Sequence, residues 1–198
     1  MSLHNNRKGF TLVEVMISLV VGALVMIGIF SFFGSSINEY FKMQQESVAF
    51  ADVAANSQRV AKVIRGTTDI TSASNNSVTL YSYFSPYDQY VSLITYYPNN
   101  TNTKLLADVT KMTANPPTGT QISGSTQTFT IIDNFYLPNG TNTFEYLDSS
   151  GSTLSTPISD LRTIKGVRVN LADKPSGSSG VVTKLSVQVS LRNRKTNL

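Results

Sequence analysis

The sequence predicts an α+β protein in which one long N-terminal helix is followed by an antiparallel β-sheet domain. Val15 to Ile37 contains no charge and no proline, and helix-forming residues continue as far as Arg65. After Gly66 the apolar residues alternate in short segments that Pro, Gly, Asn and Ser interrupt, which is typical of strands joined by turns. The change of period at Gly66 therefore predicts the boundary between the helix and the β-sheet domain.

Composition removes several classes of chemistry. The chain has 198 residues, a formal net charge of +4 and no cysteine, so disulfides, thiol catalysis and cysteine metal sites are excluded. His4 is the only histidine, and it precedes the apolar run. Without histidine the β-sheet domain has no Ser-His-Asp triad and no histidine metal site. The sequence therefore predicts no metal, no cofactor and no catalytic residue.

The helix is expected to begin at Phe10. The uncharged run that follows spans roughly 34 Å at about 1.5 Å per residue, which is enough for a bilayer core of roughly 30 Å. Glu14 is the only charge between Phe10 and Glu39. A carboxylate in a membrane helix costs about 2.5–3.5 kcal/mol on insertion scales, so Glu14 is expected to have a cationic partner.

The stretch Lys8-Gly9-Phe10-Thr11-Leu12-Val13-Glu14 resembles the class III signal of type IV prepilins and type II secretion pseudopilins. The resemblance implies a pilin fold, cleavage after Gly9 by a prepilin peptidase and N-methylation of Phe10. It also implies assembly with other major and minor pilins or pseudopilins on an inner-membrane platform. The leader's basic residues, Arg7 and Lys8, fit retention on the cytoplasmic side of the inner membrane, with the C-terminal head outside the cytoplasm and later in an extracellular or periplasmic filament.

Cleavage would create a cationic amine on Phe10, one helical turn from Glu14. In a filament, Glu14 of one subunit can meet the Phe10 amine of its neighbour, which would offset both burial costs and set the axial register. The competing interpretation is an ordinary signal peptide or a single-pass anchor that places Glu14 near the lipid headgroups. A secretory signal would have an uncharged apolar region followed directly by a small-residue cleavage site. Here the region includes Glu14, and the first Ala-x-Ala after it, Ala49-Phe50-Ala51, lies well beyond Ile37.

Four segments are expected: a leader at 1–9, a membrane-spanning or filament-core half of the helix at 10–37, an amphipathic half at 38–65 and a β-rich head at 66–198. Gly34-Ser35-Ser36 is the expected site of a bend or of local unwinding. Gly66 is expected to close the helix as its C′ residue. The amphipathic half is predicted to pack on the head through an irregular apolar stripe, made of Ile37, Phe41, Val48, Ala51, Ala55, Val60, Val63 and Ile64.

In the head, Val78–Tyr83 and Val91–Tyr97 alternate on either side of a turn at 85–88, which predicts a hairpin. Residues 114–125 are expected to be loop, and 159–164 a short helical or extended connector. About seven strands are expected to form an antiparallel sheet on the outer half of the helix. The remaining predicted strands are Lys104–Val109, Thr128–Leu137, Thr143–Leu147, Val167–Leu171 and Val181–Leu191.

Three stretches of the head resemble the J-type minor pseudopilin and its counterpart among type IV minor pilins. They are residues 144–151, with an Asp-x-x-Gly turn, residues 164–171, and the terminal Leu191-Arg192-Asn193. This resemblance implies a minor subunit in a tip or initiation complex. It does not distinguish a secretion system from a twitching or a competence pilus.

Other functions have weaker support. The aspartates of the head are scattered beside turns, and sequence alone does not bring two of them into one pocket, so catalysis is not expected. A dense group of tyrosines between Tyr81 and Tyr97 is expected to pack in the core and on sheet faces, with an exposed contact surface as the alternative. The alternative function is a single-pass, membrane-anchored surface module for DNA or adhesion. The basic strand edge that leaves DNA open as a partner consists of Arg168, Lys184, Arg192, Arg194 and Lys195.

Overall fold

The computed structural model describes residues 9–136, 138–174 and 182–192. The chain divides into two compact units, Met1–Gln44 and Gln45–Leu198. One helix, α1 (Leu12–Arg65), begins in the first unit and ends in the second, and nine strands follow in the described part of the second. A long helix with antiparallel sheets confirms the predicted α+β class. The strands are β1 (Asp69–Ala73), β2 (Val78–Ser82), β3 (Ser92–Pro98), β4 (Leu105–Lys111), β5 (Gln127–Ile132), β6 (Phe144–Leu147), β7 (Thr153–Leu154), β8 (Gly166–Asp173) and β9 (Thr183–Ser190).

Helix α1 is continuous over all its 54 residues. It begins two residues later than expected, and the local unwinding predicted as one alternative at Gly34-Ser35-Ser36 is wrong, because these residues are helical without a break. The Ser35 hydroxyl donates to the Phe32 carbonyl at 2.9 Å, so it is satisfied within the helix. Without a proline, the glycine and the two serines lower helix propensity but remove no backbone hydrogen bond.

The helix ends at Arg65, and Gly66 follows it as predicted. The Gly66 amide donates to the carbonyls of Lys62 and Val63. The Ser82 hydroxyl of β2 donates to the Val63 carbonyl at 2.6 Å, so a neighbouring strand satisfies one of the last carbonyls of the helix. A Cβ atom at position 66 would lie 3.3 Å from the Ser82 hydroxyl, which explains why the smallest residue stands there.

Strands β1 to β5 form one five-stranded antiparallel sheet in sequence order. The predicted hairpin is confirmed, because β2 pairs with β3 from Val78 opposite Tyr96 to Ser82 opposite Ser92. Strand β1 was not predicted, because Ile70 is the only side chain it buries fully and its sequence has no alternating apolar pattern. Strand β5 ends at Ile132, short of the predicted Leu137, because residues 133 and 134 turn.

Strands β6 to β9 form a second, four-stranded sheet in the order β7-β6-β8-β9. The sequence did not divide the strands between two sheets, because alternation shows which residues face a core but not which strands pair. Strands β8 and β9 pair antiparallel over eight residues each. The predicted connector contains a short 3-10 helix, Leu161–Thr163, which Asp160 caps. Val181, where the last strand was predicted to begin, lies outside the described residues.

Within the second unit, the end of α1 shares one hydrophobic core with both sheets. Val53, Val60 and Ile64 are fully buried in the same cluster as Ile94 of the first sheet and Val169 of the second. The predicted stripe is correct at Val60, Val63 and Ile64 and wrong elsewhere. Its other members, Ile37, Phe41, Val48, Ala51 and Ala55, are exposed.

Besides Val60, Val63 and Ile64, the helix buries a row of mostly small residues four apart, and we call this row the small-residue face. It consists of Ala49, Val53, Ser57 and Ala61, all of them buried. Residues four apart lie above one another on a helix. The sequence prediction followed the larger side chains and therefore missed this row.

Tyr146 of β6 connects the two sheets. Its ring is fully buried, and its hydroxyl donates to the Ser74 carbonyl at 2.8 Å and to the Ser77 carbonyl at 3.1 Å. These two residues bound the turn between β1 and β2. The backbone strengthens the connection, because the Phe144 amide donates to the Asn75 carbonyl at 2.9 Å.

The substitution Tyr146→Phe is expected to destabilise the protein by about 1 kcal/mol, because it removes the hydroxyl that donates to the Ser74 and Ser77 carbonyls. For a chain of this size that corresponds to a fall in Tm of about 4 °C, measured by thermal unfolding in detergent. Tyr97→Phe is the matched control. The Tyr97 hydroxyl donates to Asp108 at 3.0 Å on a half-buried surface, so its loss should change Tm by no more than about 1 °C. Equal falls for the two variants would contradict the role assigned to Tyr146.

Candidate functional site

Gly9 and Phe10 lie immediately before the helix. Neither is helical, both are exposed, and Phe10 keeps 85 % of its surface accessible. A Cβ atom built at Gly9 meets nothing within 4 Å. The peptide bond between the two residues is therefore accessible, and the fold of this chain places no steric demand on a glycine there. Arg7 and Lys8 lie outside the described residues.

Thr11 and Glu14 close the first turn of α1 by reciprocal hydrogen bonds. The Thr11 amide donates to Glu14 Oε2 at 2.9 Å, and the Thr11 hydroxyl donates to the same oxygen at 3.1 Å. In the other direction, the Glu14 amide donates to Thr11 Oγ1 at 3.3 Å. The Thr11 carbonyl accepts from the Val15 amide at 3.2 Å, as the first backbone bond of the helix.

This arrangement is a capping box, in which Thr11 is the N-cap and Glu14 is the third helical residue. The sequence analysis did not identify Thr11 as a functional residue. The signal was nevertheless present, because Thr-x-x-Glu before an apolar run is the pattern of a helix N-terminus. The cap also explains why the helix begins at Leu12 and not at Phe10.

The capping box leaves part of the Glu14 carboxylate available. Both hydrogen bonds that the Glu14 carboxylate accepts from Thr11 end on Oε2, and no hydrogen bond joins Oε1 to any of the described residues. The carboxylate lies at the positive end of the helix macrodipole, which stabilises a negative charge by about 0.3–1 kcal/mol. The position is thus suited to an anion and retains an acceptor for a donor from outside the chain.

The helix beyond Glu14 exposes apolar side chains on every side. From Phe10 to Ile37 each large hydrophobic residue is exposed, by between 43 % at Ile29 and 85 % at Phe10. By length and composition α1 is able to cross a membrane. Gly22, Gly28 and Gly34 have open space where a Cβ would stand, so no contact within this chain requires them. Small residues of this kind allow close approach of another helix in a membrane.

The hydrogen bonds and burial of the head's carboxylates show how their charges are accommodated. Asp148 accepts from the hydroxyl and amide of Ser150 and from the Ser152 amide, and these hydrogen bonds, led by the Ser150 hydroxyl, lower its pKa. Burial raises the pKa of Asp173, and the nearby Asp52 charge adds to this effect. Among the described residues no group of three or more Asp, Glu or His is placed to hold a metal ion.

The basic edge considered for DNA is weakened by an internal ion pair. Arg168 lies 2.8 Å from Glu145, and its guanidinium also donates to Gln188. Lys184 and Arg192 are exposed, whereas Arg194 and Lys195 lie outside the described residues. The described part of this edge therefore presents two cations without an ion pair, and Arg168 is neutralised.

Residues 4–30 match the family model of the prokaryotic N-terminal methylation motif. The matched region contains Gly9, Phe10 and the capping box, and it supports a type IV pilin- or pseudopilin-like subunit. It suggests a structural subunit, and it implies processing by a prepilin peptidase and assembly with other pilins. Together with the apolar helix it fits a single-pass inner-membrane protein. No curated protein matches the chain.

The substitution Thr11→Ala is expected to weaken the N-cap by about 1 kcal/mol, because it removes the acceptor of the Glu14 amide. Amide hydrogen exchange at Glu14, measured by NMR in detergent micelles, should then be faster by about fivefold. Thr11→Ser is the control, because it keeps the hydroxyl and should keep the protection. Equal acceleration in both variants would show that the hydroxyl does not form the cap.

Proposed function

We propose that the chain is a minor pilin or pseudopilin, processed between Gly9 and Phe10 and assembled through its N-terminal helix into a type IV filament. The observation that carries the proposal is the capped Glu14, which stands at the start of a helix exposed on every side and directly after an accessible Gly9–Phe10 bond. Each of these three features corresponds to one step of the proposed pathway.

The first step is processing by a prepilin peptidase. The bond after Gly9 lies outside the helix, so a protease can reach it without unwinding α1. Arg7 and Lys8 would hold the leader on the cytoplasmic side, and N-methylation of the new Phe10 amine would follow. The head would then lie outside the cytoplasm and later in an extracellular or periplasmic filament.

The second step is the transfer of the apolar segment from lipid to the helices of other subunits. In either place the exposed side chains from Phe10 to Ile37 are removed from water, so the transfer requires no change in the helix itself. Gly22, Gly28 and Gly34 offer positions at which a neighbouring helix can approach closely. The platform in the inner membrane and the other major and minor subunits are the partners of this step.

The third step is the pairing of charges. Glu14 uses Oε2 for its own cap, and Oε1 would accept from the methylated Phe10 amine of the neighbouring subunit. This pair would fix the axial register, because each mature helix carries one cation and one anion, and both lie close to its N-terminus.

A minor role in a tip or initiation complex rests on the J-type features of the head. The Asp-x-x-Gly turn at 148–151 joins β6 to β7, and β6 pairs with β8, so two of the three resembling stretches are neighbours in one sheet. The alternative function remains an anchored surface module, which would use the same helix without cleavage at Gly9.

Replacing Gly9 separates recognition by the peptidase from folding. Gly9→Leu is expected to abolish cleavage in the native host, whereas the circular dichroism of the purified protein should not change, since a side chain at this position meets nothing. Intact mass and N-terminal sequencing give the outcome: the unaltered protein should begin at methylated Phe10. Gly22→Ala, at a glycine with equally open surroundings, should leave processing intact. A natural protein that retains Met1 would contradict the proposal and favour the anchored module.

Replacing Glu14 separates the charge from the cap. Glu14→Gln keeps a capping box, because Gln also accepts from the N-cap amide, but it removes the anion. We expect normal processing and at least about a tenfold loss from sheared filaments, which corresponds to about 1.4 kcal/mol of lost pairing. Quantitative mass spectrometry of the filament fraction measures this loss. Thr11→Ala is the matched control, because it weakens the cap and keeps the charge. Normal incorporation of Glu14→Gln would contradict the charge pairing.

A further inference from the structure

The described head contains a cleft of about 590 Å³ that has no part in the proposed assembly. It lies where α1 ends over the first sheet, beside the connection between β2 and β3. Phe84 and Phe129 line its apolar part, with ring centroids 4.9 Å apart. The volume falls within the range of about 300–1,000 Å³ that is typical of ligand pockets, and it exceeds what a single small anion fills.

Three cations line this cleft. Arg59 and Lys62 come from the last turns of α1, and Lys111 comes from the end of β4. All three are exposed, and none of them forms an ion pair with another described residue. The single acid in the lining, Asp88, already accepts from the Ser85 amide at 2.8 Å. The lining therefore has an excess of positive charge that the described part of the chain does not neutralise.

Aromatic packing orients one of these cations. The Arg59 guanidinium lies over the Phe84 ring at 4.9 Å from its centroid. A cation–π contact holds the plane of the guanidinium against the ring and leaves its edges free to donate. Arg59 can therefore bind a carboxylate by two parallel hydrogen bonds next to an apolar surface.

The expected core and sheet-face packing holds for Tyr81, Tyr96 and Tyr97, which are half-buried or buried, and is wrong for the tyrosines nearer the cleft. Tyr96 is buried, but Tyr83 lines the cleft with 43 % of its surface exposed, and Tyr87 is 94 % exposed. Exposed tyrosines are frequent in protein–protein contacts. The rim of the cleft is thus suited to contact with a polypeptide.

We propose that this cleft binds an acidic peptide segment of another protein. Its carboxylates pair with Arg59 and Lys111, and an aromatic side chain between them packs on Phe84 and Phe129. A nucleic acid fits less well, because a strand of phosphates needs a continuous row of cations. Asp88 stands within the cleft, and Arg168 on the other sheet is already paired. The proposal is independent of cleavage at Gly9.

Binding of short probe peptides to the full-length protein in neutral detergent tests this inference by isothermal titration calorimetry. The probe is an acetylated, amidated Glu-Glu-Phe-Glu-Glu peptide. Two matched probes replace every Glu by Gln or the Phe by Ala. We expect the acidic aromatic probe to bind most tightly, and its affinity to fall as salt is raised, because exposed charges are screened.

Variants of the protein locate the binding site. Arg59→Gln and Lys111→Gln should each weaken binding of the acidic probe by about tenfold, as expected when one charge-assisted contact is lost. Lys184→Gln removes an exposed cation from β9, outside the cleft, and should have no effect. Thermal unfolding of each variant verifies that the fold is retained.

Three results would overturn the inference. The first is the absence of binding at millimolar probe. The second is an equal effect of Lys184→Gln and Arg59→Gln, which would indicate nonspecific attraction. The third is displacement of the probe by a thymidine oligonucleotide that binds more tightly, which would assign the cleft to nucleic acid.

Discussion

The head depends on the packing of the last turns of α1 against both β-sheets. A sheet that packs on nothing exposes its inner face to water, so each of the two sheets needs a second layer. Val53 of the small-residue face and Ile64 beyond it are fully buried in a core that both sheets share. Tyr146 adds a polar connection at a different point of the same core. The helix is thus an integral part of the head and not only its attachment.

The beginning of the same helix satisfies a different requirement. Its backbone is hydrogen bonded throughout, including at Gly34, so the backbone needs no partner. Its apolar side chains do need a partner, because exposed apolar surface costs about 25 cal/mol for each Å² in water. Lipid and neighbouring helices both meet this need. A helix whose backbone is hydrogen bonded throughout can therefore move from lipid to neighbouring helices without a change in its backbone.

The sequence predicts this architecture where local patterns decide it. The apolar run, the boundary at Gly66 and the hairpin of β2 and β3 all follow from residues close together in the chain. Predictions were wrong where distant contacts decide. The buried face of α1 includes small residues such as Ala49 and Ser57, which an apolar stripe read from the larger side chains does not include. The division into two sheets depends on strand pairing, which alternation does not encode. The Thr-x-x-Glu pattern at Thr11 indicates a helix cap from sequence alone. The cleft at Arg59 could not be predicted in this way, because it joins residues far apart in sequence.

The charge of Glu14 is not explained by its role in the helix. A capping box accepts Gln as well as Glu at this position, so the cap alone would be formed without a charge. The helix dipole contributes about 0.3–1 kcal/mol, which is less than the cost of about 2.5–3.5 kcal/mol for a carboxylate in a membrane helix. The difference of about 2 kcal/mol has to be balanced by a further interaction. A cation near Oε1 would supply it, and among the described residues no side chain does so. The charge of Glu14, and not its position in the helix, therefore indicates a partner from outside the chain.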